Sequence, residues 1–599
     1  MPINRTIYQS LINLWGHISR RRKKQFFLLT LLIIAASLAE IISIGAVIPF
    51  LATLTEPQRI YSLAIAQPII QFLDISNSSQ LLLPLTITFG IAAILAGVMR
   101  LALLWSSTRL AFATGADLSY DIYLRTLHQD YEVHIARNSS IIIDGILNKP
   151  SIVIYEIVMP VINFLSSLLM LTVILIALVF VDPTTALISF AGFGFIYLGV
   201  VLISRNRLVI NSEAIARESS GVIKSLQEGL GGIRDVLIDG SQATYLKIFQ
   251  RSDAQLRRAQ GDNAFITAGP RFAVEALGML LIAALAYFLS QQMEGFAKTI
   301  PILGAFALGA QRLFPNLQQV YASWAKIKGG QASLNDALYL LNQPMPQDIK
   351  SIANDESELA PIYFQRDIKI QNLSFRYHSD SPWVLQNLSL TIPRGGRIGF
   401  IGATGCGKST LLDIVMGLLS PLEGQLQVDG QAITHANRRA WQKHIAHVPQ
   451  TIFLADSTIA ENIAFGTPKN EIDPERVRQA ASQSHIADVI ESWPKQYDTL
   501  VGERGVRLSG GQRQRIGIAR ALYKQADVII FDEATSALDN ETEESVIQAI
   551  EGLRSEITTL IIAHRLSTLR NCTQIFELGN GDIQRVTSYA DLNSSTNKN

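Results

Sequence analysis

Six apolar runs fill the first half of this 599-residue chain, near residues 25–52, 81–106, 152–180, 185–204, 264–289 and 300–325. Each is near or above the roughly 20 residues that a helix needs to cross about 30 Å of hydrocarbon. A helix that is apolar on every side must be buried in protein or lipid, so six in succession read as a helical membrane domain. Composition agrees: 48% of residues are hydrophobic and only 17% charged, which excludes a disordered chain. Lysine plus arginine number 51 against 50 acidic residues, a net charge of +1, so no overall basic field points to a nucleic-acid partner. Two cysteines exclude a disulfide framework or a cysteine-built zinc site and suit a soluble part that faces a reducing cytosol. The first apolar run follows Arg20-Arg21-Arg22-Lys23-Lys24 and is too long for the core of a cleavable signal. It is expected to stay as an anchor.

The placement of charge sets the expected topology. Only Arg59 and Lys298 fall in the short connections placed outside, whereas residues 20–24, 107–150 and 205–262 carry most of the remaining basic residues. By the positive-inside rule both termini face the cytosol. The two long connections are charged yet helix-friendly and should extend the membrane helices into the cytosol. The expected organisation is a cytosolic segment at 1–24, a six-span domain at 25–330, and a linker at 331–364 after Gly329-Gly330. A soluble domain at 365–590 and a frayed tail at 591–599 follow. In the soluble part, short apolar strands such as Arg397–Ile401 and Val528–Phe531 alternate with helical patterns, the mark of an α/β domain with a largely parallel sheet.

The strand "GGRIGFI" runs straight into "GATGCGKST", residues 402–410, a phosphate-binding loop opening a helix. Gly402, Gly405 and Gly407, with Ala403, Thr404 and Cys406 between them, let backbone N–H groups curl around phosphate oxygens at a helix N-terminus. Lys408 supplies a point charge to the β- and γ-phosphates, Ser409 offers a hydroxyl to magnesium, and Thr410 completes the motif. Downstream, "DVIIFDE" is an apolar strand ending in two carboxylates. Asp532 is placed to hold magnesium, directly or through water, and Glu533 to polarise an attacking water.

With "LSGGQRQR" at Leu508–Arg515 shortly before that strand, the chain resembles the ATP-binding-cassette family over its whole length. The resemblance implies a six-helix exporter-type membrane domain fused to an α/β P-loop nucleotide-binding domain, with ATP and Mg²⁺ as cofactors. It implies that Ser509, Gly510, Gly511 and Gln512 close over ATP held by the opposite subunit, backbone donors at a helix start meeting an anion. It further assigns Tyr377 to stacking on adenine, Gln450 to magnesium and to the membrane domain, Asp539 to the dimer contact and His564 to the γ-phosphate. "VGERG", with Glu503, resembles the exporter segment that meets the cytosolic loops. Since the signature and Glu533 both stand in one chain, a two-fold homodimer with two complete sites is expected.

Charges inside the membrane runs call for partners or an aqueous cavity. Arg100, Arg271 and Arg312 lie in the second, fifth and sixth runs. Arg100 can snorkel, Arg271 can pair with Glu275 one turn on, and Arg312 has no acid close in sequence. Glu40, in the first run, is a candidate counter-ion for Arg271 or Arg312 or a helix-packing hydrogen bonder. Guanidinium groups converging on a cavity would suit a phosphate or pyrophosphate headgroup. The runs "LAEIISIGAVIPFL", "GVMRLALL", "GPRFAVEALG" and "QRLFPN" resemble those of bacterial lipid-linked oligosaccharide flippases, inner-membrane exporters whose arginines meet pyrophosphate. "IYSLAIAQPIIQFL" resembles their outer interfacial helix. That resemblance implies a lipid-linked or amphipathic anionic cargo. A drug, glycolipid, polysaccharide or peptide cargo, and a membrane regulatory ATPase that moves nothing, remain open at this point.

Overall fold

The computed structural model describes the chain except for residues 1–5, most of 56–76, 182, 291–295, 345–361, 534–539, 564 and 597–599, and the side chains of some further helical residues. The chain divides into two compact units, Met1–Gln129 with Arg137–Pro346, and Asp130–Ala136 with Gln347–Asn599.

The first unit is helical, and the six apolar runs are helical, the third continuing through a π-helical turn and the fifth broken at Gly269 between helices Gln242–Ala268 and Pro270–Ser290. Among the described residues, Arg20–Ser43, Leu82–Leu127 and Ser139–Ile176 are long and apolar enough to cross a membrane. Two helices far exceed a bilayer: Leu82–Leu127 has 46 residues and Pro183–Gly231 has 49, about 70 Å each at 1.5 Å per residue. The expected helical extensions of the apolar runs are therefore present. Helix Ser139–Ile152 contains Pro150 and passes through a π-helical turn, Val153–Val158, into helix Met159–Val181. Proline cannot donate the usual helical hydrogen bond, and a wider turn follows it.

The region expected as a linker begins instead with a helix, Gln331–Leu341. Its Leu334, Ala337, Leu338 and Leu341 are at most 2% exposed and pack with Leu118, Ile122 and Ile157. Their 0, 3, 4, 7 spacing makes one apolar stripe among polar neighbours. The expected cytosolic segment likewise contains a helix, Ile7–His17, and the next helix starts at Arg20, inside the basic run.

In the second unit, β1 (Asp367–Phe375), β2 (Leu385–Pro393), β4 (Glu423–Val428) and β5 (Gln431–Ala432) form an antiparallel sheet in the order β2-β1-β4-β5. The central sheet joins β3 (Arg397–Ile401), β6 (Ile445–Val448), β7 (Val528–Asp532), β8 (Thr558–Ile562), β9 (Gln574–Gly579) and β10 (Asp582–Thr587) in the order β10-β9-β3-β8-β7-β6. All its pairings are parallel except β10 with β9. Its inner strands β3, β7 and β8 are near-continuous buried runs because both faces are covered. Helix Lys408–Val415 buries Leu411, Leu412, Ile414 and Val415 at 0–1% exposure, each contributing about 1.5–3 kcal/mol. The Trp441 indole N–H donates to the Val415 carbonyl at 2.7 Å where that helix ends.

This unit starts earlier and ends later than the sequence suggests. Ile362 and Phe364 already lie in its core, and the expected tail carries helix Tyr589–Thr596, whose Leu592 packs into the main apolar cluster.

Candidate active site

In parallel α/β sheets, ligands gather at the carboxyl ends of the strands. The predicted motifs leave the central sheet there: the phosphate loop after β3, Gln450 after β6 and Glu533 after β7. The loop depends on its glycines. Gly402 has φ +146°, and a Cβ there would lie 2.2 Å from the Leu578 carbonyl oxygen; Gly407, at φ +103°, would meet Leu385 at 2.8 Å. Only glycine fits either position. Gly407 thus starts helix Lys408–Val415 with its free N–H groups at the loop. Ala403, Thr404, Gly405 and Ser409 are exposed, while Lys408 is 7% exposed and folded back. Its ammonium donates to the Gly402 and Ala403 carbonyls at 2.8 and 3.1 Å and lies 3.9 Å from the Cys406 sulfur. Anionic phosphate oxygens are stronger acceptors than these carbonyls.

Glu533 is a non-glycine residue at φ +50°, and its backbone N–H donates to the Ile562 carbonyl of β8 at 3.1 Å. A left-handed turn directly after the strand re-aims this carboxylate, and such strain collects where function requires it. The Gln450 amide donates to Glu533 Oε2 at 2.8 Å. Ser409, Asp532 and Gln450 offer hydroxyl, carboxylate and amide oxygens, the hard donor set that suits Mg²⁺.

Sequence reasoning missed Asp413, five residues after Lys408. Burial pushes its carboxyl up to about 6, and the nearby Asp532 charge adds to the effect. The signal was present in "GKSTLLD": an acid on a helix whose neighbours Leu411, Leu412 and Ile414 are core.

Ser509 caps helix Gly510–Lys524. The Gln512 N–H donates to its hydroxyl at 3.2 Å, and the Ser509 N–H donates to the Gln512 side chain at 2.9 Å. This capping box leaves Ser509 and Gly510 exposed at a helix start, where an anion is favoured. The same helix holds the glutamine loop, since Gln514 donates to the Gln450 carbonyl at 3.0 Å and Arg520 to that of Phe453 at 3.1 Å. Tyr377 meets the Thr410 hydroxyl at 3.0 Å and packs edge-on to Phe375, with 44% of its surface exposed. Glu503 is exposed, at the start of the 3₁₀ turn Glu503–Gly505. Asp539 and His564 lie outside the described residues.

The short segment Asp130–Ala136 groups with this unit, although in sequence it falls between two long helices of the first. Arg438 donates to Asp130 at 2.5 Å. The Tyr131 phenol is held above its usual range by burial, then by Asp413 and Tyr377.

In the first unit, Arg100 pairs with Glu40, whose side chain is 2% exposed. Glu40 is thus the counter-ion of Arg100, where the sequence suggested Arg271 or Arg312: helices Arg20–Thr55 and Leu82–Leu127 face each other, a pairing that sequence distance hides. Arg271 pairs with Glu275 at 2.7 Å, as the one-turn spacing allowed. Arg312 lies in helix Phe296–Gly329, and its side chain is outside the described residues, as is most of the expected interfacial helix near 60–73.

A phosphate loop, a strand-end carboxylate pair and a capped signature helix on one parallel sheet, in a chain that also carries an exporter-type helical unit, define an ATP-hydrolysing membrane transporter. A family model described as ABC transporter matches residues 385–536. The chain is 32% identical over 395 residues to the "ATP-dependent lipid A-core flippase" of Thiobacillus denitrificans, covering 66% of this chain and 67% of that one. A protein of the same name from Cupriavidus metallidurans is 32% identical over 394 residues, 64% of each. The matched stretch is thus about two thirds of the length of these relatives. A solved structure titled "Structure of a bacterial Atm1-family ABC exporter with ATP bound" superposes with a TM-score of 0.75 over 96% of both chains, at 23% identity. The fold is that of an ABC exporter, and the chain belongs to the ABC transporter family.

Proposed function

We propose that two copies of this chain form a homodimer in a bacterial inner membrane, with termini and cassettes in the cytosol, and use ATP to flip a lipid with an anionic headgroup. The substrate class proposed is a polyprenyl-pyrophosphate oligosaccharide or a related glycolipid. The similarity over 395 residues to a protein named a lipid A-core flippase carries the lipid reading. Arg100 and Arg271, about half exposed although each pairs with an acid, and Arg312 in the sixth apolar run are the guanidinium groups that would meet an anionic headgroup.

In this reading the loop 402–410 binds the ATP phosphates through backbone N–H groups and Lys408, and Tyr377 stacks on adenine. Mg²⁺, held by Ser409, Asp532 and Gln450, would neutralise charge on the phosphates. Glu533 orients and takes a proton from the attacking water, and His564 stabilises the γ-phosphate. Ser509, Gly510, Gly511 and Gln512 close the partner's site, and Asp539 meets the partner. Binding two nucleotides favours the closed cassette pair, and hydrolysis releases it.

Proteoliposomes loaded separately with a fluorescent polyprenyl-pyrophosphate glycan, a glycolipid and a hydrophobic dye distinguish the cargoes. ATP-dependent movement of the first or second is expected. Movement of the dye alone would contradict the proposal. Arg312→Ala should depress cargo-stimulated ATP hydrolysis far more than basal hydrolysis.

A further inference from the structure

Outside the nucleotide site, the first unit buries a lysine. Lys149, on helix Ser139–Ile152, keeps 3% of its side chain exposed, and Asp144, five residues earlier, keeps none. The ammonium has three donors and meets three acceptors: Asp144 at 3.2 Å, Asp336 at 2.9 Å and the Ala216 carbonyl at 3.1 Å. Asp144 also accepts from Asn148 at 2.8 Å, Ser219 at 2.7 Å and Ser220 at 2.8 Å. The network thereby joins three helices: Ser139–Ile152, Pro183–Gly231 through Ala216, Ser219 and Ser220, and Gln331–Leu341 through Asp336.

Net stability does not account for such an arrangement. Desolvating buried ions offsets most of their attraction, and apolar side chains of similar volume often serve as well or better. The network supplies register instead. If one helix slides or turns by a residue, a buried charge loses its partner, and that is the strongly unfavourable case. Packing seats Leu340 against Gly145, where a Cβ would lie 2.2 Å from its Cδ1, but beside the triad a cleft of about 570 Å³ opens, lined by Gly145, Ala216, Ser220 and Leu340 among others, and there the charges bridge the helices.

Helix Gln331–Leu341 is where register has a mechanical meaning. Ser10 donates to Asn335 at 2.7 Å, and His17 and Asn342 are 2.9 Å apart. Arg125 donates to the Gln343 carbonyl and Gln129 to that of Pro344, each at 2.9 Å. From Pro346 the chain runs on into the cassette unit. We infer that Lys149, Asp144 and Asp336 form a register lock, positioning residues that keep this tail helix fixed to the third and fourth membrane helices so that cassette closure moves them. The inference rests on the transporter reading above.

The test replaces the lock with apolar volume, Lys149→Met with Asp144→Leu and Asp336→Leu, beside the conservative Lys149→Arg. The triple variant should fold, melt within a few degrees of the parent and keep basal ATP hydrolysis within about twofold, while lipid flipped per ATP falls about tenfold. Lys149→Arg should keep at least half of that ratio. An unchanged flipping ratio in the triple variant would overturn the lock, as would equal losses of melting temperature and flipping that Lys149→Arg does not rescue. A second readout needs no cargo: spin labels on a noncanonical residue in place of Ile176, exposed on helix Met159–Val181, in both protomers, read with and without ATP and vanadate. The parent should show a nucleotide-dependent distance change that the triple variant lacks. If the parent splits ATP yet flips none of the lipids, the cargo reading falls, while the label distances still decide on the lock; the same shift in both proteins would refute it.

Discussion

The cassette and the membrane unit handle charge in opposite ways. In the cassette, Lys408, Asp532, Glu533 and Ser509 sit on short segments that leave a rigid sheet or open a helix, and the motif around each can be read from its neighbours in sequence. In the membrane unit, Glu40 finds Arg100 on another helix, and Lys149 finds Asp336 nearly two hundred residues away. Chemistry at strand ends is written locally, whereas charge in a helical bundle is settled by which helices pack together.

The sharpest way to break this contrast is at Glu533. Glu533→Gln should leave ATP binding within a few-fold and lower turnover by about 100-fold or more, the usual worth of a general base; steady-state hydrolysis by the purified variant in lipid checks it. Next come the membrane arginines. Arg100→Ala deprives the buried Glu40 of its partner and should cost about 2 kcal/mol, less than the roughly 3–5 kcal/mol of a fully enclosed pair because Arg100 is half-exposed. A second change, Glu40→Gln, should restore part of the loss. Arg271→Ala, which removes an exposed one-turn pair, should cost about 0.5 kcal/mol or less. Thermal unfolding in detergent compares the three.

Asp413 offers a finer test in the cassette. Burial first, and Asp532 second, raise its carboxyl from 3.8 to about 6, so the folded state prefers it protonated. Its contribution to stability is present below about pH 4 and is lost as pH rises through 6. Asp413→Asn should therefore stabilise the nucleotide-free protein at pH 7.5 by about 1 kcal/mol after allowance for solvent screening, read as a higher melting temperature, with little effect near pH 4. A modest effect is expected at Asp130 and Arg438. Asp130→Arg or Arg438→Asp alone should lower cargo-stimulated hydrolysis a few-fold, and the double exchange should recover most of it, a coupling of about 0.5–1 kcal/mol in a double-mutant cycle.

These cases show what a chain of letters can convey. The β3 and β7 strands, the loop 402–410 and the 46- and 49-residue helices were legible because each rests on a local pattern: apolar runs, glycines at fixed offsets, a cap before a helix. The helix Gln331–Leu341 was not, since its apolar stripe of Leu334, Ala337, Leu338 and Leu341 is short and set among polar residues. The partner of Glu40, the burial of Asp413 beside Asp532 and the grouping of Asp130–Ala136 with the cassette unit depend on contacts between distant segments, which no spacing encodes.

The central claim is that two copies of this chain complete one another's nucleotide sites. It is tested most directly by mixing two inactive chains, one with Lys408→Ala and one with Ser509→Arg, each also carrying Glu533→Gln to hold ATP. Neither homodimer then has an intact site, whereas a mixed dimer has one, built from the sound loop of one chain and the sound signature of the other. One occluded ATP per mixed dimer is expected, and none in either parent. No occlusion on mixing, or occlusion by either chain alone, would contradict it.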